Sequence, residues 1–364
     1  MSRLLRFSKL SPLNNVMKGS SFRWCSSSTT TKNPYLMYTI SVKEIPDGSH
    51  KADGLLFDPA REKLFTVRDK SVPKDLLNSS LVGSSQGWGI FYDTSDEVLR
   101  VSDFLNPLAF KSNPKVIPLP SLTTLPFDPT QIEFVRNVAM SSDSPSEEED
   151  FLVAIKLPGS EIGVYRHGRD LPWTHFELPF TCLDKSNLAY SKTDQCFYLP
   201  GPGGNCLCSF DFHDNLNVRE LLFRDLPEFS MSEFELLKAY SREEHWVESS
   251  SGERFLVQWY SYDSQLEHRD PRFMVFREEE TIDSKYMCYT EDIGDICIFL
   301  SNSHPFCVEA SSCPGLQPNA IYIISSHHFA VYDLDTKKCR HFEKPKGGPI
   351  KAPFIPHWIP PYSI

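Results

Sequence analysis

The chain has no carboxylate before Glu44, no unbroken apolar run of membrane-spanning length, no Cys-x-x-Cys pair, no His-Glu-x-x-His pattern and no Gly-Lys-Ser/Thr loop. Each absence removes a class. A spanning helix needs roughly 20 apolar residues in a row. A ready-made zinc motif needs paired cysteines or histidines at ligand spacing. A phosphate loop needs its lysine. Positive charge is also scarce, with 37 basic against 48 acidic residues and a formal net charge of −11. That balance argues against nucleic acid and anionic membranes as partners, because phosphates demand a cationic footprint.

What cations there are gather at the start. Arg3, Arg6, Lys9, Lys18, Arg23, Lys32 and Lys43 precede any acid, and residues 20–31 are dense in serine and threonine. A basic, hydroxyl-rich, acid-free leader has the composition of an organellar transit peptide. On a helix, Leu4, Leu5 and Phe7 lie mostly opposite Arg3, Arg6 and Lys9, and Pro12 would end that helix. Arg23-Trp24-Cys25-Ser26 is similar to a mitochondrial processing site, so cleavage is expected near Cys25 and Ser26. Residues 1–25 then form the transit peptide and 26–34 a linker. The expected address is the mitochondrion, with a chloroplast or dual targeting as the alternative and cytosol or nucleus behind these. Removing the leader takes away five basic residues and no acidic one.

Ten cysteines are spread over the chain, and losing Cys25 leaves an odd number, which is not a disulfide framework. Most lie inside apolar runs, where a thiol behaves as a small buried hydrophobe. Those runs are short and numerous: 35–42, 63–67, 89–92, 98–104, 151–155, 162–165, 196–199, 206–212, 254–260, 273–276, 296–300, 320–324 and 329–332. Each is rich in β-branched and aromatic side chains and is bounded by Pro, Gly, Asn, Asp or Ser, the pattern of many strands joined by tight turns. Only 233–241 has a faint helical look. Strands ending in an aromatic and Asp recur at Phe57-Asp58, Tyr92-Asp93, Phe210-Asp211 and Tyr332-Asp333. The expectation is an all-β propeller of six or seven four-stranded blades over 35–345. Residues 141–150 would be an acidic, disordered loop insertion, and 346–364 a Pro-rich tail.

The candidate chemical motifs fail their contexts. Gly83-Ser84-Ser85-Gln86-Gly87 matches a nucleophile elbow, but a strand follows it where a helix is required. Pro200-Gly201-Pro202-Gly203-Gly204-Asn205 lacks a lysine and reads as a hairpin turn. Cys206 and Cys208 would share one strand face, with Cys182, Cys196 and His213 near in sequence, yet no second ligand pair completes a zinc site. His327 and His328 would point to opposite faces. Glu243, Glu244, Glu278, Glu279 and Glu280 read as loops or exposed edges. No catalytic, cofactor-binding or metal-ligating residue is assigned.

A set of landmarks carries a resemblance. Gly83-Ser-Ser-Gln-Gly87-Trp88, Asn106-Pro107-Leu108, Gly252-Glu-Arg-Phe-Leu-Val257, Gly294-Asp295 through Phe299-Leu300, and Pro314-Gly315-Leu316-Gln317-Pro318-Asn319-Ala-Ile-Tyr322 occur in order. Together, over about residues 50–345, they resemble the plant family named for domain of unknown function 295, the F-box-associated or KIB-type propellers. The resemblance implies a β-propeller, usually behind an N-terminal F-box in ubiquitin-ligase receptors, with some relatives binding kinases. Here a transit-like leader stands where the F-box would be, so the chain resembles the organellar branch, and binding of a Skp1-type adaptor is not expected. The family implies no catalytic residues. The reading is a monomeric, non-enzymatic protein-binding propeller. Its rivals are a cytosolic or nuclear ligase receptor or kinase binder, and a propeller enzyme with polar groups converging on the central channel.

Overall fold

The computed structural model describes residues 33–361, except 94, 108, 110–112, 126–136, 170–171, 182–185, 212–215, 263–269, 326–327 and 345–355. The proposed cleavage residues Arg23, Cys25 and Ser26, and also Cys182, His213 and His327, lie outside the described residues.

Strands dominate. The first sheet holds β1 (Tyr35–Glu44), β2 (His50–Asp58) and β3 (Lys63–Ser71). The second holds β4 (Ser79–Ser85), β5 (Trp88–Asp93), β6 (Val98–Ser102) and β7 (Val116–Ser121). The third holds β8 (Asn137–Met140), β9 (Leu152–Lys156), β10 (Glu161–Arg166) and β11 (Thr174–Glu177). After β12 (Ser186–Asn187), the fourth holds β13 (Ala189–Ser191), β14 (Cys196–Pro200), β15 (Cys206–Phe210) and β16 (Leu216–Glu220). Next come β17 (Leu222–Arg224) and the helix α1 (Met231–Lys238). The fifth sheet is built on β18 (Ser241–Glu248), β19 (Arg254–Ser261), β20 (Arg272–Glu280) and β21 (Lys285–Thr290). The sixth holds β22 (Ile296–Leu300), β23 (Phe306–Glu309), β24 (Ala320–Ile324), β25 (Phe329–Asp333) and β26 (Lys338–His341). Finally β27 (His357–Ile359) returns to pair antiparallel with β1, Leu36 opposite Trp358.

The expected six or seven four-stranded blades are therefore corrected. Five antiparallel four-stranded blades are present: β27-β1-β2-β3, β4 to β7, β8 to β11, β13 to β16, and β18 to β21. The last is widened by two parallel edge strands, β12 against β18 and β17 against β21. The remaining sheet is a five-stranded mixed one, ordered β23-β22-β24-β25-β26, in which β22 and β24 run parallel. Parallel neighbours need a crossover rather than a tight turn. Residues 301–319, including β23, provide it. Strand density was readable from the sequence, but the pairing partner was not local.

Six apolar clusters lie between successive sheets and close the ring. One example joins Trp88, Ile90 and Tyr92 of β5 to Val138, Val153 and Ile155 of the third sheet. The last joins Leu36 and Phe57 of the first sheet to Phe299, Tyr322 and Phe329 of the sixth. Side chains alternate across a strand, so β5 sends Phe91 the other way, toward Leu56 and Phe104. In β22 and β24 both faces are covered: Cys297, Phe299 and Tyr322 pack one way, Ile298, Leu300 and Ile321 the other. That is why these strands read as continuous apolar runs. Each fully buried tryptophan removes about 150–250 Å² from water, on the order of 4–6 kcal/mol before ordering entropy. Trp88, Trp246, Trp259 and Trp358 are all in this class.

The helix begins earlier than the sequence suggested and ends before Ser241, which opens β18. Ser230 and Glu233 form a capping box, side chain to backbone in both directions. No residue of α1 is buried. Among the described residues, no helix is long and apolar enough to cross a membrane.

Candidate functional site

The landmarks of the sequence settle into four separate structural places. Gln86 and Gly87, both at positive φ, make the two-residue turn between β4 and β5, with Ser85 opposite Trp88. Ser85 Oγ accepts a hydrogen bond from the Met140 amide at 3.0 Å, which ties β4 to β8. A Cβ on Gly83 would stand 2.8 Å from Val138 Cγ2, so these two strands approach as closely as they do only because residue 83 has no side chain. Trp88 Nε1 donates to the Asp143 carbonyl at 3.0 Å, which places the acidic segment 141–150 over the indole. Lys192 and Arg166 pair with Asp143 and Asp150 in that segment.

Asn106 and Pro107 follow a short 3-10 turn (Asp103–Leu105) after β6. The Asn106 carbonyl accepts the buried Lys70 Nζ at 2.5 Å, and that ammonium also lies 5.8 Å from the Phe104 ring centroid. Burial pushes the Asp103 carboxyl up from its usual range, against the pull of its own amide contacts.

Gly252, at positive φ, makes the turn into β19 of the fifth sheet, and the landmarks from Gly294 to Tyr322 hold the sixth sheet to the first. Phe299 stacks on Phe306 and Tyr322, with ring centroids 5.0 and 4.7 Å apart. Leu316 is buried in the same cluster. Gly315, at φ +104°, leaves room for Ala60, whose carbonyl oxygen would lie 2.4 Å from an added Cβ. Tyr322 Oη accepts the Gln317 amide, next to Pro318, at 2.9 Å. Asn319, at positive φ, accepts from the Ile293 amide and donates to the Glu291 carbonyl, fixing the turn that carries Gly294. The Asp295 carboxylate accepts the Ser311 amide.

Sequence reasoning missed the polar axis. Strand β4 lies against β8, β8 against β13, β13 against β18, and β18 against β23. Where these strands meet, polar side chains are buried. Asn137 Oδ1 accepts the Leu188 amide at 2.8 Å. Lys156 Nζ donates to the Ser186 carbonyl. Ser186 Oγ lies 3.4 Å from Glu244, which also accepts Arg242 Nε at 2.7 Å. Asn187 Nδ2 lies 2.9 Å from His245 Nδ1. Asn187 also reaches the Ser301 carbonyl, and the His304 amide donates to the Ser84 carbonyl at 3.1 Å. That last bond joins the second sheet to the sixth, which are not neighbours in the ring. Polar rather than apolar groups thus gather at the axis. Burial, then the Lys192 charge, pushes His304 down to about 4, so its imidazole is neutral at pH 7. Burial raises the Glu244 carboxyl despite Arg242. The only sequence trace was a lone polar residue at the end of an apolar run, as in Asn137 before Val-Ala-Met and Lys156 after Leu-Val-Ala-Ile.

A second unanticipated feature lies on the outside. Val218, Leu222, Leu226, Phe229, Met231 and Phe234 are exposed within 17 residues of chain, interleaved with Asp225, Glu228, Glu233 and Glu235. Strand β17 is the edge of the fifth sheet. Exposed apolar side chains this close in sequence to an edge strand mark interaction surface rather than core. Lys238 pairs with Glu235 at 2.9 Å and sits 4.5 Å from the Phe234 ring centroid.

The sequence of the family described as KIB1-4 beta-propeller matches residues 56–340. No curated protein matches the chain. Among solved structures, a streptogramin B lyase is 12% identical, with a TM-score of 0.30, covering 72% of this chain and 86% of its own. The virginiamycin B lyase from Staphylococcus aureus is 11% identical, with a TM-score of 0.28 and coverages of 73% and 74%. The hydrazine synthase of Kuenenia stuttgartiensis is 11% identical, with a TM-score of 0.35 and coverages of 87% and 81%. Likenesses this slight carry no argument about activity.

Proposed function

The chain belongs to the KIB1-4 β-propeller family, and from that premise we propose that it is a non-enzymatic protein-binding propeller imported into mitochondria, of the organellar branch grouped under domain of unknown function 295. The observation that carries the binding reading is the acidic, apolar stretch from β16 to α1. Its occupant would be a protein segment with apolar side chains set among basic ones, since Asp225, Glu228, Glu233 and Glu235 rim the exposed Leu226, Phe229, Met231 and Phe234. The axis supports binding over catalysis for a different reason: several of its polar groups are tied to one another across strands, as Asn187 is to His245 and Asn137 to the Leu188 amide, which suits a structural plug. The acid-free leader with its Arg23-Trp24-Cys25-Ser26 signature supports import.

The test has two arms. Import into isolated mitochondria followed by N-terminal sequencing should yield a mature chain starting near Ser26. A protein that stays outside organelles with residues 1–25 intact overturns the address. Proximity labelling with the wild type and with a Met231→Glu/Phe234→Glu chain should recover a partner with the first and lose it with the second. Equal recovery by both overturns the surface.

A further inference from the structure

The sixth sheet ends at β26, whose residues Cys339 and His341 stand two apart and so share one face of the strand. Arg340 between them turns the other way, pairing with Glu62 at 2.7 Å and lying 5.3 Å from the Phe342 ring centroid. Asp270 reaches the same spot from another sheet, just before β20 of the fifth. His341 Nε2 is 2.8 Å from Asp270 Oδ1, and the sulfur, a ring nitrogen and a carboxylate oxygen all lie within 4.8 Å of one another. Donors around a tetrahedral zinc-type ion, at bond lengths of 2.0–2.3 Å, stand about 3.3–3.8 Å apart, so small side-chain rotations suffice. The His328 ring packs against His341 at a centroid distance of 6.1 Å and limits how the imidazole can turn.

We propose that Cys339, His341 and Asp270 form a three-ligand site for a divalent zinc-type transition-metal ion, which would clip the fifth sheet to the sixth. A thiolate and an imidazole favour such an ion over magnesium or calcium, and a carboxylate completes a set that leaves one position for water. His341 and Asp270 are exposed enough for an ion to enter, while Cys339 is half-buried against the core between the two sheets. Burial, and then the neighbouring Asp270 charge, pushes the Cys339 thiol up to about 12. Without metal the sulfur is protonated, so binding forms the metal–sulfur bond and releases that proton to the buffer. Displacing the thiol proton makes the affinity rise with pH. The ordinary alternative is an exposed His–Asp hydrogen bond beside a buried apolar cysteine.

Titration of the chelator-treated full chain with Co²⁺ separates the two. The expected result is one equivalent bound, with the visible bands of a four-coordinate cobalt site and a near-ultraviolet thiolate-to-cobalt band. Zn²⁺ should displace the cobalt and raise the unfolding temperature. Cys339→Ser should lose the thiolate band and at least about 100-fold in affinity, with His341→Gln and Asp270→Asn weakening binding about 10- to 100-fold, each variant first checked for a native circular dichroism spectrum. The absence of a thiolate band in the folded wild type overturns the proposal. So does a band that survives Cys339→Ser, or unchanged affinity in both His341→Gln and Asp270→Asn.

Discussion

The axis of the ring and the outer edge of its fifth sheet invert each other's chemistry. At the axis, Asn137, Lys156, Asn187, Glu244 and His245 are polar and buried. At the edge, Leu226, Phe229, Met231 and Phe234 are apolar and exposed. Each departs from the usual rule, and for a different reason. Six wedge-like sheets converge at the axis, where crossed strands leave backbone groups that only side chains from the next sheet can satisfy. There, polar burial is a solution to a geometric problem. At the edge nothing in the fold requires Met231 or Phe234, since α1 is held by its capping box and buries no residue. Apolar exposure without a structural cause is the better pointer to a partner.

The largest effect expected from breaking this comparison comes from inside the ring, near the junction of the fourth and fifth sheets. Arg254, itself buried, holds Asp194 at 2.6 Å, Glu278 at 3.0 Å and Glu248 at 3.4 Å. Removing one member of a buried charge network leaves the others uncompensated, so Arg254→Ala should cost about 3–5 kcal/mol in a urea melt. A loss below about 1 kcal/mol would show that these charges are effectively solvated. The same network sets an acid sensitivity. Glu278 is held below the usual carboxylate range, because Arg219 and Arg254 outweigh its burial, and Asp194 is lowered by Tyr198 and Arg254 against the same penalty. Their stabilisation is complete above the unfolded carboxylate values, about 4, and is lost as pH falls through the lower folded values. At the axis the sign reverses: the Glu244 carboxyl is raised by burial, so its ionisation opposes folding as pH climbs above its unfolded value. Melts at pH 4 and 7 should therefore show Glu278→Gln losing most at pH 7 and Glu244→Gln gaining most there. Equal shifts of one sign in both variants would contradict the assignment.

How much of this was legible in the sequence follows the same division. Strands buried on both faces, such as β22 and β24, announce themselves as apolar runs. The turn at Gln86-Gly87 was readable because glycine has a local reason to be there. Strands at the edges were mostly not, although the outer β3 was: the inner β4, β8, β13 and β18 are absent from the apolar runs, β7 contains Pro118 and Pro120, which a sheet tolerates only at an edge, and β16 is largely polar. The mixed sixth sheet was invisible because the pairing of β22 with β24 skips β23. The polar axis was invisible because its members come from several sheets and the residues that meet there are far apart in sequence: Asn187 and His245 are 58 positions apart, Asn137 and Leu188 51. Cys339 and His341 carried a signal, an i, i+2 pair, but their third partner lies about seventy residues away.

A smaller test concerns how tightly the inner strands must approach for the axis to close. Gly83→Ala puts a methyl 2.8 Å from Val138 Cγ2 and 3.3 Å from its Cβ. Overpacking of this kind should cost about 1–3 kcal/mol. In a double-mutant cycle, Val138→Ala should recover part of that loss, so the double variant is more stable than the sum of the single effects implies. Strict additivity would mean that β4 and β8 can slide apart freely.

The smallest stability effect belongs to the edge, and its smallness is the point. Met231 is 75% exposed and Phe234 47% exposed. Replacing both with serine removes apolar surface that already faces water, so the urea midpoint should move by no more than about 0.5 kcal/mol equivalent. The helix should survive, because Ser230 and Glu233 cap it and serine costs little in an eight-residue segment. If the pair instead costs more than about 1 kcal/mol, these side chains pack in solution and are not free to meet a partner. A neutral melt combined with lost partner recovery would separate the two halves of the comparison: a polar interior that maintains the ring, and an apolar rim that the ring does not need.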